Sequence, residues 1–251
     1  MSDKTGTLTC NVMKFKRVSV AGQMFGDNEA DEFSDENLVN RYREDPFCLR
    51  IYFEKSEEGK AIRELLMMMA VCHTVVPEKK DGKILYQCSS PDEGALVRGA
   101  ARVGFEFHTR QPKKVVVSVL GADETLDVLD VIDFTSDRKR MSVVIRDAAG
   151  VIKLYTKGAD TMVLERLVPG SESVIDTCHE HLEDFASYGY RTLCFAMRVI
   201  PEDEYEEWAE EYHAAGILIE GRQQALADVA EKIEKDMDFV GATAIEDKLQ
   251  E

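Results

Sequence analysis

The residues with the clearest chemical potential lie in the run DKTGTLT, from Asp3 to Thr9. The carboxylate of an aspartate is a nucleophile that can take a phosphoryl group and form an aspartyl phosphate. Phosphoryl transfer depends almost entirely on positioning and charge neutralisation, so such a motif works only where folded elements hold it. The run therefore predicts a phosphoryl-acceptor site, and the remaining sequence must show which elements surround it.

Length, composition and charge restrict the class of protein. The chain has 251 residues, of which 44% are apolar and 31% charged, and this favours one large globular domain. No apolar run reaches the roughly 18 residues that a membrane helix needs, and no secretory segment is present, so we expect a chain that faces the cytosol. The net charge of −17 argues against nucleic acid and anionic membranes as partners. The six cysteines form no C-x-x-C pair, which argues against a zinc site or a disulfide framework.

The first half of the chain predicts one strand and several helical segments. Residues 10–20 have the pattern of a strand, and residues 62–75 that of an apolar core helix, whereas the charged segment 43–60 predicts an aperiodic connection. The run SSPDEGALV has the features of a helix start. Ser90 is the expected N-cap, with Pro91 at the first helical position and Glu93 completing a capping box.

Residues 105–157 predict a β-rich block, because short runs of β-branched and aromatic residues alternate there with turn residues. The run TLDVLDVIDF spaces its aspartates every three residues, as a helix would, but its β-branched content favours a strand. Beyond the block, helices are expected at about 160–168, 173–188, 201–214 and 222–237, and strands at 190–199 and 239–245. This grouping predicts an α+β fold, a twisted and mainly antiparallel sheet flanked by helices.

Three strands of this block form a meander that brings distant residues to one edge of the sheet. Because TSDR and DAAG are turns, Phe134, Lys139 and Lys157 are expected to cluster. An aromatic ring beside two ammonium groups suits a nucleotide, with the ring stacked on the base and the cations near the phosphates. The helix start at Asp160 would add its N–H groups to this anion site. The local pattern fits equally well a core Phe134 beside an ordinary solvated turn at residues 138–140.

Six strings, in order along the chain, resemble the type IV P-type ATPases, the phospholipid flippases. They are DKTGTLT, SPDEGALV, FTSDRKRMSV, YTKGADT, YRTL and GATAIEDKLQ. The resemblance implies the nucleotide-binding domain fold of P-type ATPases. It divides the chain into a phosphorylation-domain stub with its hinge strand (1–19), the nucleotide-binding domain (20–238) and a return hinge strand (239–251).

The resemblance also implies roles for individual residues in binding ATP. Phe134 would stack on adenine, and Glu93 would accept a hydrogen bond from the adenine amino group or else serve only in the helix cap. Lys157 would line the base and ribose side of the pocket. Lys139 would reach toward the phosphates, and Arg191 would clamp the polyphosphate or remain a surface arginine at a strand start.

In the intact parent, Asp3 would be the catalytic residue that receives the γ-phosphate, flanked by Lys4 and Thr5. Asp3 and the carbonyl of Thr5 would hold Mg²⁺. Simple phosphatases of the haloacid dehalogenase class have a second aspartate at the position of Thr5 as general acid and base, so the hydroxyl here predicts a longer-lived phosphoenzyme. The family supplies a lysine and further acidic residues in TGDK and GDGxND strings, and neither occurs in this sequence. The chain thus resembles an excised cytoplasmic domain that binds ATP without turnover.

For the parent, the resemblance implies an enzyme that couples ATP hydrolysis to phospholipid transport, with the aminophospholipids phosphatidylserine and phosphatidylethanolamine as expected substrates. Its expected partners are ATP with Mg²⁺, its own actuator and phosphorylation domains and an accessory β-subunit, and the isolated domain is expected to be monomeric. The chain would be the cytoplasmic domain of an integral membrane protein of the plasma membrane, Golgi or endosomes. The alternatives are the nucleotide-binding domain of a cation-transporting P-type ATPase and a non-enzymatic acidic docking module.

Overall fold

The structure, a computed structural model, describes the backbone of residues 9–249 and the side chains of residues 12–248. Its strands are β1 (Thr9–Val20), β2 (Gln23–Phe25), β3 (Val76–Lys80), β4 (Lys83–Gln87), β5 (Phe105–Gln111), β6 (Lys114–Val119), β7 (Ala122–Ile132), β8 (Arg140–Arg146), β9 (Ile152–Gly158), β10 (Arg191–Ile200) and β11 (Asp238–Leu249). Nine of them form one sheet in the order β2-β1-β11-β10-β9-β8-β7-β6-β5. Every neighbouring pair is antiparallel. The β3 and β4 strands form a separate hairpin.

Helices cover both faces of the large sheet. They are α1 (Arg41–Glu44), α2 (Pro46–Lys55), α3 (Glu57–Val71), α4 (Pro91–Arg102), α5 (Asp160–Leu164), α6 (Glu172–Ser187), α7 (Glu202–Gly216) and α8 (Arg222–Ile233), and a π-helical turn at Glu36–Asn40 precedes α1. In the part of the chain that the structure describes, no helix is both long enough and apolar enough to cross a membrane. The predicted α+β fold, with a mainly antiparallel sheet flanked by helices, is confirmed.

The core lies in two layers, one on each face of the sheet. Successive side chains of a strand point to opposite faces, and the central strand β8 follows this rule: Val143 and Ile145 belong to one apolar cluster and Val144 to the other. Helices α2, α3 and α4 pack on the first cluster, whereas α6, α7 and α8 pack on the second. Because both faces of β8 are covered, nearly all of its side chains are buried.

The prediction of an aperiodic connection at 43–60 is wrong, because this segment forms α1, α2 and the start of α3. Two N-caps organise it: the Asp45 carboxylate accepts a hydrogen bond from the amide of Cys48, and the Ser56 hydroxyl oxygen accepts one from the amide of Gly59. Pro46 occupies the first turn of α2, where its missing N–H costs nothing. The apolar signal in α2 is short, with Leu49 and Phe53 as its buried residues.

The predicted meander is confirmed in strand order and direction. Met141 lies opposite Lys157, and Arg140 lies opposite Gly158, so the start of β8 and the end of β9 share one edge. Residues 125–132 of the ambiguous run TLDVLDVIDF belong to the strand β7, which has a register shift between Val128 and Asp130. Such a bulge adds one residue to a strand, which accounts for the spacing of Asp127 and Asp130 within the sheet, and Asp133 lies just beyond the end of β7.

Candidate functional site

An open cleft of about 710 Å³ lies at the edge where β7, β9 and β10 meet the start of α4. It is lined by Thr74, Ser89, Ser90, Pro91, Asp92, Glu93, Asp133, Phe134, Met141, Lys157, Gly158, Arg191 and Leu193. Its volume falls in the range of roughly 300–1,000 Å³ that is typical of small-molecule sites. Four of the residues predicted from the sequence, Glu93, Phe134, Lys157 and Arg191, therefore line one cleft.

Phe134 follows the end of β7 and presents its ring to this cleft. The residue is 60% exposed, so the alternative in which it belongs to the core is wrong. An exposed phenylalanine on a short connection adds little to core packing, and one whose ring borders a concave cleft is placed to contact an apolar ligand face.

Lys157 and Glu93 form a buried ion pair at the base of the cleft, with 2.8 Å between Lys157 Nζ and Glu93 Oε1. The two residues are only 6% and 8% exposed. The other carboxylate oxygen of Glu93 accepts hydrogen bonds from the amide and the hydroxyl of Thr74, both at 3.0 Å. Burial alone would raise the pKa of Glu93, but Lys157 and Thr74 outweigh it, so the pKa is lowered and the carboxylate is ionised at neutral pH.

The capping box predicted at the start of α4 is wrong in its side-chain contacts. Ser90 is the N-cap and Pro91 follows it, as predicted, but the Ser90 side chain makes no capping hydrogen bond. Glu93 faces Thr74 and Lys157 instead. The sequence analysis missed Thr74 because this contact joins residues 19 positions apart and the only local signal is a threonine after an apolar helix.

The Glu93 pair should make stability depend on pH. A carboxyl whose pKa is lowered by folding stabilises the fold above its ordinary value of 4.5, and this contribution disappears as the pH falls through the folded-state pKa. We expect Glu93→Gln to destabilise the protein at pH 7 and the difference from wild type to shrink below about pH 4.5. Urea unfolding of both proteins between pH 7 and pH 3 measures this, and a difference that stays constant with pH would contradict it.

Arg191 and Lys139 occupy more open positions than Lys157. Arg191 lies at the start of β10 with about half of its side chain exposed, 3.0 Å from Asp92 and 3.9 Å from Asp247. Burial raises the pKa of Asp92 even though Arg191 is adjacent. Lys139 is exposed, adopts a positive φ of 49° and does not line the cleft. Its backbone nevertheless adjoins the cleft, because its carbonyl accepts a hydrogen bond from the amide of Ala159.

The structure gives the anion site predicted at the Asp160 helix start few donors. Helix α5 has only five residues, and the amides on either side of Asp160 are occupied: the Ala159 amide donates to the Lys139 carbonyl, and the Thr161 amide donates to the Asp160 carboxylate at 2.8 Å. Position 158 needs a glycine because the backbone there lies against the start of β8. A Cβ at this position would lie 2.5 Å from Arg140 Cβ and 2.6 Å from the Lys139 carbonyl oxygen.

The turn at residues 138–140 is not an ordinary solvated turn. Arg138 and Arg140 are buried, and both bind the carboxylate of Glu234, which is 0% exposed. Arg140 Nε donates to Glu234 at 2.8 Å, and Ser142 Oγ donates to the same carboxylate at 2.5 Å. This cluster joins the edge of the cleft to the end of α8. Sequence analysis missed it because nothing near Glu234 in the chain marks that residue as buried.

The phosphoryl-acceptor run falls largely outside the described part of the chain. Asp3, Lys4 and Thr5, predicted as the phosphorylated residue, its neighbours and the Mg²⁺ ligands, all precede residue 9, and their roles remain predictions. The described chain begins with β1, which pairs antiparallel with β11 from Thr9 opposite Leu249 to Val20 opposite Gly241. The first and last strands of the described residues, 9–249, therefore lie side by side in the same sheet.

Comparisons with known proteins agree with these features. The family model of the P-type ATPase cytoplasmic domain N matches residues 61–251. The chain is 60% identical over 253 residues to the phospholipid-transporting ATPase tat-1 of Caenorhabditis elegans. It is 44% identical over 257 residues to DRS2 of Saccharomyces cerevisiae and 42% identical over 261 residues to phospholipid-transporting ATPase IC of Homo sapiens.

Each of these three matches covers 100% of the chain but only 19–21% of the relative. The chain thus spans about a fifth of their length. The family match covers more than half of the chain, and it includes the cleft and the strands that form it. The chain therefore belongs to the P-type ATPase cytoplasmic domain N family, and along its whole length it is similar to phospholipid-transporting members.

Proposed function

We propose that the cleft binds ATP and that the chain is the nucleotide-binding domain of a phospholipid-transporting P-type ATPase. The observation that supports this most directly is the exposed ring of Phe134 opposite the ionised Glu93–Lys157 pair in one cleft of about 710 Å³. In this role the domain holds ATP and presents the γ-phosphate to the aspartate that becomes phosphorylated.

The residues of the cleft fit an adenine base. The Phe134 ring offers a stacking face, and base–aromatic stacking is worth roughly 1–3 kcal/mol. An ionised carboxylate accepts hydrogen bonds and donates none, so Glu93 matches the exocyclic amino group of adenine. The ion pair with the Lys157 ammonium group keeps the Glu93 carboxylate ionised. The apolar side chains of Met141 and Leu193 complete the wall of the cleft.

The part of the site that would contact the phosphates offers weaker interactions than the part that would contact the base. Arg191 is exposed enough to meet a polyphosphate, but Asp92 and Asp247 already share its charge. Lys139 is exposed beside the cleft and can reach outward. With few uncompensated cations and a net charge of −17, we expect a dissociation constant of about 1 mM, or about −4 kcal/mol. The second domain of the intact protein would close over the phosphates.

We further propose the division into a phosphorylation-domain stub with a hinge strand (1–19), the nucleotide-binding domain (20–238) and a return strand (239–251). The pairing of β1 with β11 supports a common exit for both hinges. Asp3 would accept the γ-phosphate, with Lys4 and Thr5 beside it and Mg²⁺ held at Asp3 and Thr5. The chain alone would bind ATP without turnover, because the TGDK and GDGxND strings are not in its sequence.

For the parent protein, the relatives' names support phospholipid as the transported substrate, and we propose aminophospholipids. The proposed partners are the parent's actuator and phosphorylation domains and an accessory β-subunit, with the chain on the cytoplasmic side of a plasma, Golgi or endosomal membrane. A cation-transporting parent is disfavoured by the names of these relatives. An acidic docking module is distinguished by titration, since it should show no saturable response to ATP.

Phe134→Ala should test the base pocket. We expect ATP affinity to fall by about 1–3 kcal/mol, because the stacking face is lost, while the thermal midpoint changes little, because the ring is exposed. Phe47→Ala is the matched control, since Phe47 is also an exposed phenylalanine but lies on α2, away from the cleft. Calorimetric titration with ATP measures both. Equal affinity in wild type and Phe134→Ala would remove Phe134 from the site.

A further inference from the structure

We infer that Arg138 is a positioning residue for base binding: it holds the turn that presents Phe134, and it is itself anchored by the buried carboxylate of Glu234. The inference rests on the proposed function, in which Phe134 stacks on the base. Arg138 does not line the cleft, so its effect on the ligand has to be transmitted through the turn.

The turn between β7 and β8 presents the ring of Phe134, and it is closed by a backbone hydrogen bond from the amide of Lys139 to the carbonyl of Thr135 at 2.8 Å. Residues 133–139 lie outside the two strands, and Phe134 itself is largely exposed. Arg138 donates from one guanidinium nitrogen to the carbonyl of Asp133 at 2.8 Å, and from its amide to the hydroxyl of Thr135 at 3.2 Å. The guanidinium bond to Asp133 restrains the residue immediately before Phe134 and is lost in Arg138→Met, whereas the amide bond to Thr135 belongs to the main chain and remains.

The guanidinium of Arg138 is held in turn by the sheet and by α8. A second nitrogen of the group pairs with Glu234, the residue that follows the end of α8. The Glu234 carboxylate also accepts hydrogen bonds from Arg140 and from Ser142 of β8. A planar guanidinium with donors in a fixed fork can bridge a carbonyl and a carboxylate at a set angle. Through Glu234, the turn is thereby connected to β8 and to the end of α8.

A pre-ordered turn should increase affinity for the base. An aromatic ring on a mobile turn would lose conformational freedom when a ligand binds, and this loss would weaken binding. With Arg138 in place, much of that ordering is present before the ligand arrives. Loss of Arg138 should therefore weaken the interaction with the base and leave the interaction with the phosphates unchanged.

The test compares wild type, Phe134→Ala, Arg138→Met and the double variant, with ATP and with inorganic tripolyphosphate, which lacks a base. We expect Arg138→Met to weaken ATP binding about 3- to 10-fold without changing affinity for tripolyphosphate. In the Phe134→Ala background, Arg138→Met should have no further effect on ATP binding. Arg43→Met is the charge-matched control, because Arg43 is exposed on α1 and lines neither the cleft nor the turn, and it should bind ATP like wild type.

Hydrogen exchange provides a second readout, with faster exchange expected at residues 133–139 in Arg138→Met. If Arg138→Met does not fold, Arg138→Lys replaces it, since lysine retains the charge beside Glu234 but has no planar fork. Equal losses for ATP and tripolyphosphate would overturn the inference, because they would indicate a charge effect. Full additivity with Phe134→Ala, or unchanged ATP affinity, would overturn it as well. Failure of wild type to bind ATP would overturn the proposed function itself.

Discussion

Lys157→Ala is expected to lower the free energy of unfolding by about 3 kcal/mol and to abolish most ATP binding. The ammonium group lies 2.8 Å from Glu93 and is almost fully buried. Its removal leaves a buried carboxylate whose remaining hydrogen bonds come from Thr74, and losing one partner of a buried pair is far more costly than losing both. Urea unfolding followed by circular dichroism at pH 7, with ATP titration of the folded protein, measures the two effects.

Two comparisons separate the buried pair from a general loss of positive charge. Lys139→Ala removes an exposed lysine near the same edge and should change stability by less than about 0.5 kcal/mol. The double variant Lys157→Met with Glu93→Gln removes both charges and should be more stable than Lys157→Ala. If Lys157→Ala proved as stable as wild type, the ion pair would not be the buried contact described here.

Glu234→Gln is expected to lower the free energy of unfolding by about 3 kcal/mol. The carboxylate is fully buried and serves two buried arginines, Arg138 and Arg140, together with Ser142. An amide has no charge to balance the guanidinium groups. Its NH₂ group donates hydrogen bonds and cannot accept them from the N–H groups of the two arginines. Denaturant unfolding at pH 7 measures the change.

Glu231→Gln is the matched control for this second substitution. Glu231 also pairs with Arg140, but about half of its side chain is exposed, and exposed pairs contribute only about 0–1 kcal/mol. We therefore expect Glu234→Gln to destabilise the protein much more than Glu231→Gln. Equal effects of the two would show that burial of Glu234 does not decide the energy of the cluster.

Much of the fold was predictable because the signals are local. Strand alternation and turn residues predicted the meander, and the register of Met141 opposite Lys157 confirmed it. Helix-start residues located the beginning of α4 at Ser90 and Pro91. The segment 43–60 was not predictable from periodicity, because the apolar stripe of α2 consists of only two buried residues, Leu49 and Phe53.

The side-chain contacts of the site could not be predicted in the same way. A capping box was expected at Glu93 because that contact joins residues three apart, whereas the contacts formed reach Thr74 and Lys157, 19 and 64 positions away. An anion site was expected at Asp160, but the Lys139 carbonyl and the Asp160 side chain occupy the amides on either side of it. The expected capping box replaced two distant partners of Glu93 by a nearby one.

The amino-acid sequence therefore specified the six family strings, the strand order of the meander and the proximity of Phe134 to Lys157, because these follow from motifs and from local alternation. Tertiary packing decided which charges are buried and which are available. It paired Lys157 with Glu93 and left Phe134 exposed. It also brought Glu234 into contact with Arg138, 96 residues away in the chain. Burial and ion pairing depend on elements that meet only after folding, and short-range periodicity contains no information about that meeting.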